Sequence, residues 1–230
     1  MTLLSWSRGG APLIVEADPG CQSNVRLCTH PVEIVAERGD IGGMSTMSWP
    51  GHLLTLEEFD QLPEDNSRRY ELQEGVLLVT PKAATLHQRV VRALGSVLVA
   101  QLPAEWEAVP DVEVVLKHKW PPTVRIPDVL IAPTELIDKN PNRLQAADVA
   151  VAVEVISPGS RQMDQVTKRY EYAAAGIQGY WVLETDDVVK LTASRLIGEV
   201  YEVDFCGGGM FKTAHPFELT LDLDTLIKRA

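Results

Sequence analysis

Two acidic residues lie inside otherwise apolar segments of this sequence. Asp128 interrupts the predicted strand Arg125–Ala132, and Glu154 interrupts the predicted strand Ala147–Ile156. Burying a carboxylate among β-branched residues is costly unless the carboxylate is paired or binds a cation. Because a lysine in a predicted helix, Lys168, follows this pair along the chain, the pattern indicates a metal site.

The surroundings of Glu154 leave room for a cation. Side chains alternate along a strand, so Glu154 shares a face with Ala150, Ala152 and Ile156, and the alanines are small. If the strands carrying Asp128 and Glu154 are neighbours in register, the two carboxylates converge on one ion. Magnesium takes such oxygen ligands and keeps several waters, which suits a site that also receives phosphate.

A helix is expected from about 161 to 175, ending at Gly176, whose residue type suits a left-handed C-terminal cap. Its spacing places Asp164, Lys168 and Tyr172 on one face. Lys168 can therefore point back toward Glu154, where it could orient a water or offset developing negative charge. The alternative is that Asp164 and Lys168 form only a helix-surface ion pair.

Other patterns predict the elements that must position these residues. Thr55 and Glu58 fit a capping box that opens a short helix, and the segment Tyr70–Thr80 has the pattern of two short strands. After Pro81 a long helix carries an apolar stripe that must face a sheet. Further strands are expected at Asp111–Leu116, at Gly179–Glu184 and, in a peripheral antiparallel part, at Val188–Ala193, Glu199–Phe205 and Phe217–Leu221.

Composition limits the classes of function. The net charge of −11 excludes nucleic-acid binding through the whole surface, so any such contact must be local. Solvated surface charge is the simpler interpretation of the local basic residues, and Trp106 and Trp120 flank loops where they could pack or stack on bases. The basic residues are Arg68, Arg69, Lys82, Arg89, Arg92, Lys117, His118, Lys119, Arg161, Lys168 and Arg169.

The first 47 residues differ from the rest. They lack sustained periodicity, so we expect a poorly structured extension at 1–47 and one ordered domain at 48–230. Met44 and Met47 precede the first regular element, which raises the hypothesis that the natural product starts at one of them. Without a secretory signal or an apolar run of membrane-spanning length, we expect a cytoplasmic protein that does not enter a membrane. Three cysteines support neither a disulfide framework nor a zinc site.

The combined motifs resemble the Uma-two family of restriction endonucleases, within the PD-(D/E)xK nuclease superfamily. The resemblance rests on Asp128, on Glu154 in EVISP, and on Asp164 and Lys168 in DQVTKRYEYAAAGIQGYWVLE. It continues upstream in LTLEEFDQLP, in RRYELQEGVLLVTP and at His87 on the long helix. The superfamily usually carries a lysine two residues after the acidic member, where this chain has Ile156, and the resemblance implies that Lys168 supplies the amine instead.

This resemblance implies an α/β fold, a restriction-endonuclease-like core with a central mixed sheet flanked by helices and peripheral antiparallel strands. It also implies a homodimer and Mg²⁺- or Mn²⁺-dependent hydrolysis of phosphodiester bonds, with DNA as substrate. Asp128, Glu154 and the backbone carbonyl of Val155 are the implied metal ligands. Glu71 is implied as a further ligand, although its spacing equally fits a solvent-facing strand residue, and His87 as a phosphate or water contact, although a core histidine is the commoner case.

Two other hypotheses remain open. Ile156 at the usual lysine position and the acidic charge are compatible with a nuclease-like module that binds nucleic acid or a protein partner without cutting it. A glycosidase with two carboxylates would need an aromatic sugar cleft, and 6% aromatic residues disfavour it.

Overall fold

Three β-sheets and four α-helices build the part of the chain that the structure, a computed structural model, describes. Described are residues 50–63, 67–81, 83–156, 163–185 and 188–227, with the backbone alone at 163–165. The expected extension at 1–47, the two candidate starts within it and the side chain of Asp164 lie outside this part.

A six-stranded mixed sheet forms the centre of the fold. Its strand order is β11-β10-β9-β8-β6-β3, and within it only β8 and β9 run parallel. These strands are β3 (Trp106–Pro110), β6 (Val129–Pro133), β8 (Val151–Ile156), β9 (Gly179–Glu184), β10 (Lys190–Ile197) and β11 (Val200–Gly207).

A second, five-stranded sheet has the order β2-β1-β5-β4-β7. Its strands are β1 (Arg68–Gln73), β2 (Val76–Pro81), β4 (Glu113–Lys117), β5 (Thr123–Arg125) and β7 (Arg143–Gln145). The expected hairpin is confirmed, and its two turn residues, Glu74 and Gly75, both have positive φ, as a two-residue hairpin turn requires. A separate antiparallel ribbon consists of β12 (Met210–Thr213) and β13 (Leu219–Asp222).

The helices confirm the main sequence patterns. Thr55 caps α1 in a capping box with Glu58, and Gly176 follows the last helix with a φ of +83°. The expected helix at 161–175 is described from Met163 onward, and it starts as a π-helical turn (Met163–Lys168) that continues into α4. The helices are α1 (Leu56–Asp60), α2 (Thr85–Val99), α3 (Thr134–Ile137) and α4 (Arg169–Ala174).

Helices cover both faces of the central sheet. Val151, Val153 and Val155 of β8 belong to the same buried cluster as the apolar stripe of α2. The alternate residues Ala152 and Ile156 pack on the other side with Tyr172 of α4. Burying each such large apolar side chain contributes about 1.5–3 kcal/mol, so β8 is held from two sides. The expected α/β fold with a mixed sheet flanked by helices is confirmed.

One expectation about strands was wrong. The segment 125–132 is two strands in different sheets, because Pro127 has no N–H for a ladder and restricts the residue before it. β10 and β11 continue the central sheet beyond β9 in antiparallel pairing, so the expected peripheral antiparallel strands are confirmed. Trp106 lies in β3, a strand that the sequence patterns did not indicate, and its partly buried ring packs on Phe217 with ring centroids 5.0 Å apart.

Among the described helices, none combines the length with the apolar character that a membrane crossing would require.

Candidate active site

Asp128 and Glu154 lie on chain segments that are neighbours in the central sheet. β6 and β8 are antiparallel with Val129 opposite Val153, and extending that register by one residue sets Asp128 opposite Glu154. Asp128 lies in the bend just before β6, and its Oδ2 accepts a hydrogen bond from the Val155 N–H at 2.8 Å. The backbones of the two acidic residues are therefore adjacent near the C-terminal end of β8.

Asp128 is buried and surrounded by cationic or protonatable groups. Arg69 of β1 donates from Nη1 to Oδ1 at 2.7 Å, and Nε2 of His87, in the first turn of α2, lies 3.1 Å from the same oxygen. Burial alone would raise the pKa of Asp128, but the contacts with His87 and Arg69 outweigh it and hold that pKa below its usual value. The carboxylate is thus kept ionised, as a metal ligand must be.

Glu154 takes its partners from the helix that follows its strand. Lys168 Nζ donates to Oε1 at 2.9 Å, and the Tyr172 hydroxyl donates to the same oxygen at 2.8 Å. Burial and the nearby Glu154 charge raise the pKa of Tyr172 well above its usual value, so the phenol stays neutral and remains a donor. Lys168 is buried, which excludes the alternative of a helix-surface ion pair for this lysine.

Glu71 is buried at the same place, so its interpretation as a solvent-facing strand residue is wrong. Its Oε1 accepts from the Ile126 N–H at 2.9 Å and lies 3.4 Å from Lys168 Nζ, and its Oε2 accepts from Arg125 at 3.2 Å. Burial alone would raise the pKa of Glu71, but Lys168 and Arg125 outweigh it and lower the pKa. Both oxygens of Glu71 are thereby engaged within the protein.

Arg125 is a site residue that the sequence patterns did not single out. Its side chain is 0% exposed and forms a two-pronged pair with Glu171 of α4, at 2.7 Å from Nε and 2.8 Å from Nη2. Arg125 therefore connects the strand that ends beside Asp128 to the helix that follows Lys168. The signal was available, because Arg125 interrupts an apolar segment as Asp128 and Glu154 do.

Strand β1 ties the two carboxylate positions together. Arg69 and Glu71 are two residues apart, so they point to the same face, about 7 Å apart along the strand. Arg69 contacts Asp128, whereas Glu71 contacts the lysine that holds Glu154. Arg69 is therefore not the solvated surface charge that was expected. Arg169 is not one either, since it donates to Ser194 and to the Tyr201 carbonyl.

Carboxylates outnumber the permanently basic side chains around Asp128 and Glu154. Four carboxylates that are buried or nearly so, those of Glu71, Asp128, Glu154 and Glu171, face three permanently basic side chains, those of Arg69, Arg125 and Lys168. Across the described residues, no three His, Cys, Asp or Glu side chains are clustered as a metal cage. Magnesium does not need such a cage, because one or two carboxylates, waters and substrate phosphate suffice. The pair Asp128 and Glu154 fits that requirement.

Comparisons with known proteins identify the family and the fold. The family profile of Uma2, described as "Putative restriction endonuclease", matches residues 56–210. No curated protein matches the chain. The crystal structure of a putative nuclease belonging to DUF820, from Anabaena variabilis, has 20% sequence identity and a TM-score of 0.61. The match covers 76% of this chain and 97% of that one, so the two share a fold.

Proposed function

This chain belongs to the Uma2 family of putative restriction endonucleases, and from that premise we propose that it cleaves DNA by divalent-metal-dependent hydrolysis of phosphodiester bonds. The observation that carries the proposal is the hydrogen bond from Lys168 Nζ to Glu154 Oε1 at 2.9 Å. It brings an amine from the following helix to the acidic residue of the central strand, where Ile156 occupies the position usual for lysine.

Asp128, Glu154 and the backbone carbonyl of Val155 would hold Mg²⁺ or Mn²⁺. The bound ion would lower the pKa of a water and offset charge on the phosphate oxygens. Asp128 suits this role because its lowered pKa keeps it ionised, and its hydrogen bond to the Val155 N–H fixes it beside β8. We assign Glu71 a supporting role as a further acidic residue beside Lys168, where it would complete the set of ligands around the ion.

The protein's own side chains would position the reacting groups. Lys168 donates to Glu154 and lies near Glu71, so its ammonium group is fixed where it can orient a water or stabilise charge that grows on phosphate. Tyr172 shares Glu154 Oε1 with Lys168 and keeps that carboxylate from turning. His87, in contact with Asp128, would orient that carboxylate and could also meet a phosphate or water.

The test measures DNA cleavage in the presence of a divalent metal ion. Plasmid and oligonucleotide DNA are incubated with Mg²⁺ or Mn²⁺ and with wild-type protein, Asp128→Ala, Glu154→Ala or Lys168→Ala. Lys139→Ala serves as control, because that lysine is exposed and forms a surface ion pair with Glu135. We expect the three site variants to lose cleavage and the control to cleave DNA as the wild type does. Equal activity in all five proteins would reject the assignment.

A second candidate is a nuclease-fold module that binds nucleic acid or a protein without cutting it. Ile156 at the usual lysine position favours it, as does the engagement of Asp128, Glu154 and Glu71 by the protein's own cations. Calorimetry with Mg²⁺ or Mn²⁺ separates the two candidates, because a module without a metal site shows no heat of binding that Glu154→Ala removes.

We also propose that the protein is a homodimer, and analytical ultracentrifugation tests this.

A further inference from the structure

The loop between β4 and β5 carries an exposed tryptophan beside basic side chains. Trp120 is 58% exposed, and the adjacent His118 and Lys119 are exposed as well. Trp106 and Trp181, by contrast, pack against phenylalanine rings in the core. Tryptophan rings are common in binding surfaces because they offer a large apolar face to a ligand, so Trp120 is available for such a contact.

The loop is attached directly to the strand that carries Glu71. The Gly75 N–H donates to the Pro122 carbonyl at 2.8 Å, and the Glu74 N–H donates to Thr123 Oγ1 at 3.2 Å. Gly75 follows Glu71 by four residues along β1 and its turn, which at 3.3 Å per residue is at most about 13 Å. That length is short beside a bound DNA strand, so a strand held at the candidate site would extend to the part of the loop that Gly75 holds.

Its charges suit a nucleic-acid strand in an otherwise acidic protein. Lys119 has no ion-pair partner within the described part of the chain, and Lys117 Nζ lies 3.5 Å from Glu74 in an exposed pair. An exposed pair of this kind contributes little and can exchange its partner for a phosphate. A net charge of −11 leaves few places where a phosphate backbone can approach, and this loop is one of them.

We propose that residues 117–120 form a platform that binds an unpaired DNA base near the cleaved bond, with Trp120 stacking on the base and Lys119 contacting phosphate. Every base offers a π face, so aromatic stacking binds single strands with little sequence preference. The inference rests on the proposed nuclease function and narrows its substrate to DNA with a single-stranded segment.

Binding measured without catalysis tests the platform. Fluorescence anisotropy in EDTA compares a labelled single-stranded oligonucleotide with the blunt duplex of the same sequence. Trp120→Ala should weaken single-strand binding about fivefold or more while changing duplex binding less than twofold. Trp120→Phe should retain most of the affinity, because it keeps a ring. Val200→Ala, at an exposed residue on the far edge of the central sheet, is the matched control and should bind as the wild type does.

Several outcomes would overturn the platform. Base stacking at this loop would be contradicted if Trp120→Ala kept its affinity for the single strand, or lost affinity equally for the duplex. It would also be contradicted if Trp120→Ala bound DNA normally but lost a protein partner. Failure of the nuclease function has a different signature. If the wild type binds single strands through Trp120 yet cuts no DNA with Mg²⁺ or Mn²⁺, the platform stands and the enzyme assignment falls. If the wild type cuts DNA while Trp120→Ala binds single strands normally, the enzyme assignment stands and the platform falls.

Discussion

Lys168 and Glu154 are fourteen residues apart in sequence, yet Nζ and Oε1 lie 2.9 Å apart in a buried contact. The lysine reaches the carboxylate from the helix that follows the strand, through a π-helical turn, and not from the strand itself. Such turns are frequent at functional sites. This contact is the basis for the first prediction.

Replacing Lys168 by methionine should lower the rate of DNA cleavage about 100-fold or more, as loss of one fixed donor to developing charge commonly does. Adding Ile156→Lys to that variant should recover part of the rate, because residue 156 lies on the same face of β8 as Glu154. Steady-state cleavage assays on proteins shown to be folded by circular dichroism provide the measurement. If the folded double variant is no more active than Lys168→Met alone, the idea that the two positions are interchangeable is wrong.

Replacing Arg125 by methionine should destabilise the fold by about 3–5 kcal/mol, because Glu71 and Glu171 would each lose a buried partner. Arg125→Lys should cost less but not restore stability, since a lysine cannot form the two-pronged pair. Urea unfolding monitored by tryptophan fluorescence measures both. Arg195→Met is the control, because Arg195 pairs with Asp204 at the surface and should change stability by less than about 1 kcal/mol. A loss at Arg125 no larger than at Arg195 would contradict a structural role for the network.

Stability should fall at acidic pH through Glu71 and Asp128. The pKa values of both are lowered in the folded state from ordinary values of 4.5 and 3.8, so the unfolded chain binds more protons. The stabilisation is therefore complete above about pH 5 and is lost as the pH falls through the lowered values. Urea midpoints from pH 7 to pH 3 test this. Glu71→Gln should be less stable at pH 7, and its deficit should shrink as the pH falls. A deficit that stays constant would exclude ionisation of Glu71 as the cause.

Two glycines with different surroundings provide a paired test of the fold. Gly75 has a φ of +79°, and an added Cβ would lie 2.8 Å from Leu53 Cβ, so Gly75→Ala should destabilise by about 1–2 kcal/mol or more. Gly95, within α2, has open space where a Cβ would go, and Gly95→Ala should stabilise by up to about 1 kcal/mol. Thermal melts of the two variants are compared with the wild type. Equal shifts in the same direction would refute this description of the β1–β2 turn.

Local patterns predicted the elements and part of the site. The capping box at Thr55, the apolar stripe of α2 and the spacing of Lys168 and Tyr172 each involve residues within one or two turns of a helix. Such relationships depend on helical geometry alone, which a sequence displays directly. They were sufficient to direct Lys168 toward Glu154.

The ion pairs between distant segments could not be predicted in the same way. Arg69 reaches Asp128 across 59 residues of sequence, and Arg125 reaches Glu71 across 54. Which charges meet is decided by how one sheet packs against the other, and alternation along a single strand gives the face but not the partner. The break at Pro127 had the same origin, since an apolar segment does not reveal that its halves join different sheets.

The short link from Ile126 to Asp128 has a mechanical consequence. It joins the end of β5 to the start of β6, and its first and last residues each make a hydrogen bond within the site. A link of three residues that is held at both ends has few alternative conformations. If one sheet slid past the other by about one ångström, Asp128 would therefore move as well. Substitutions at the contact between the sheets, even far from the carboxylates, would therefore change the position of Asp128 as well as the stability of the fold.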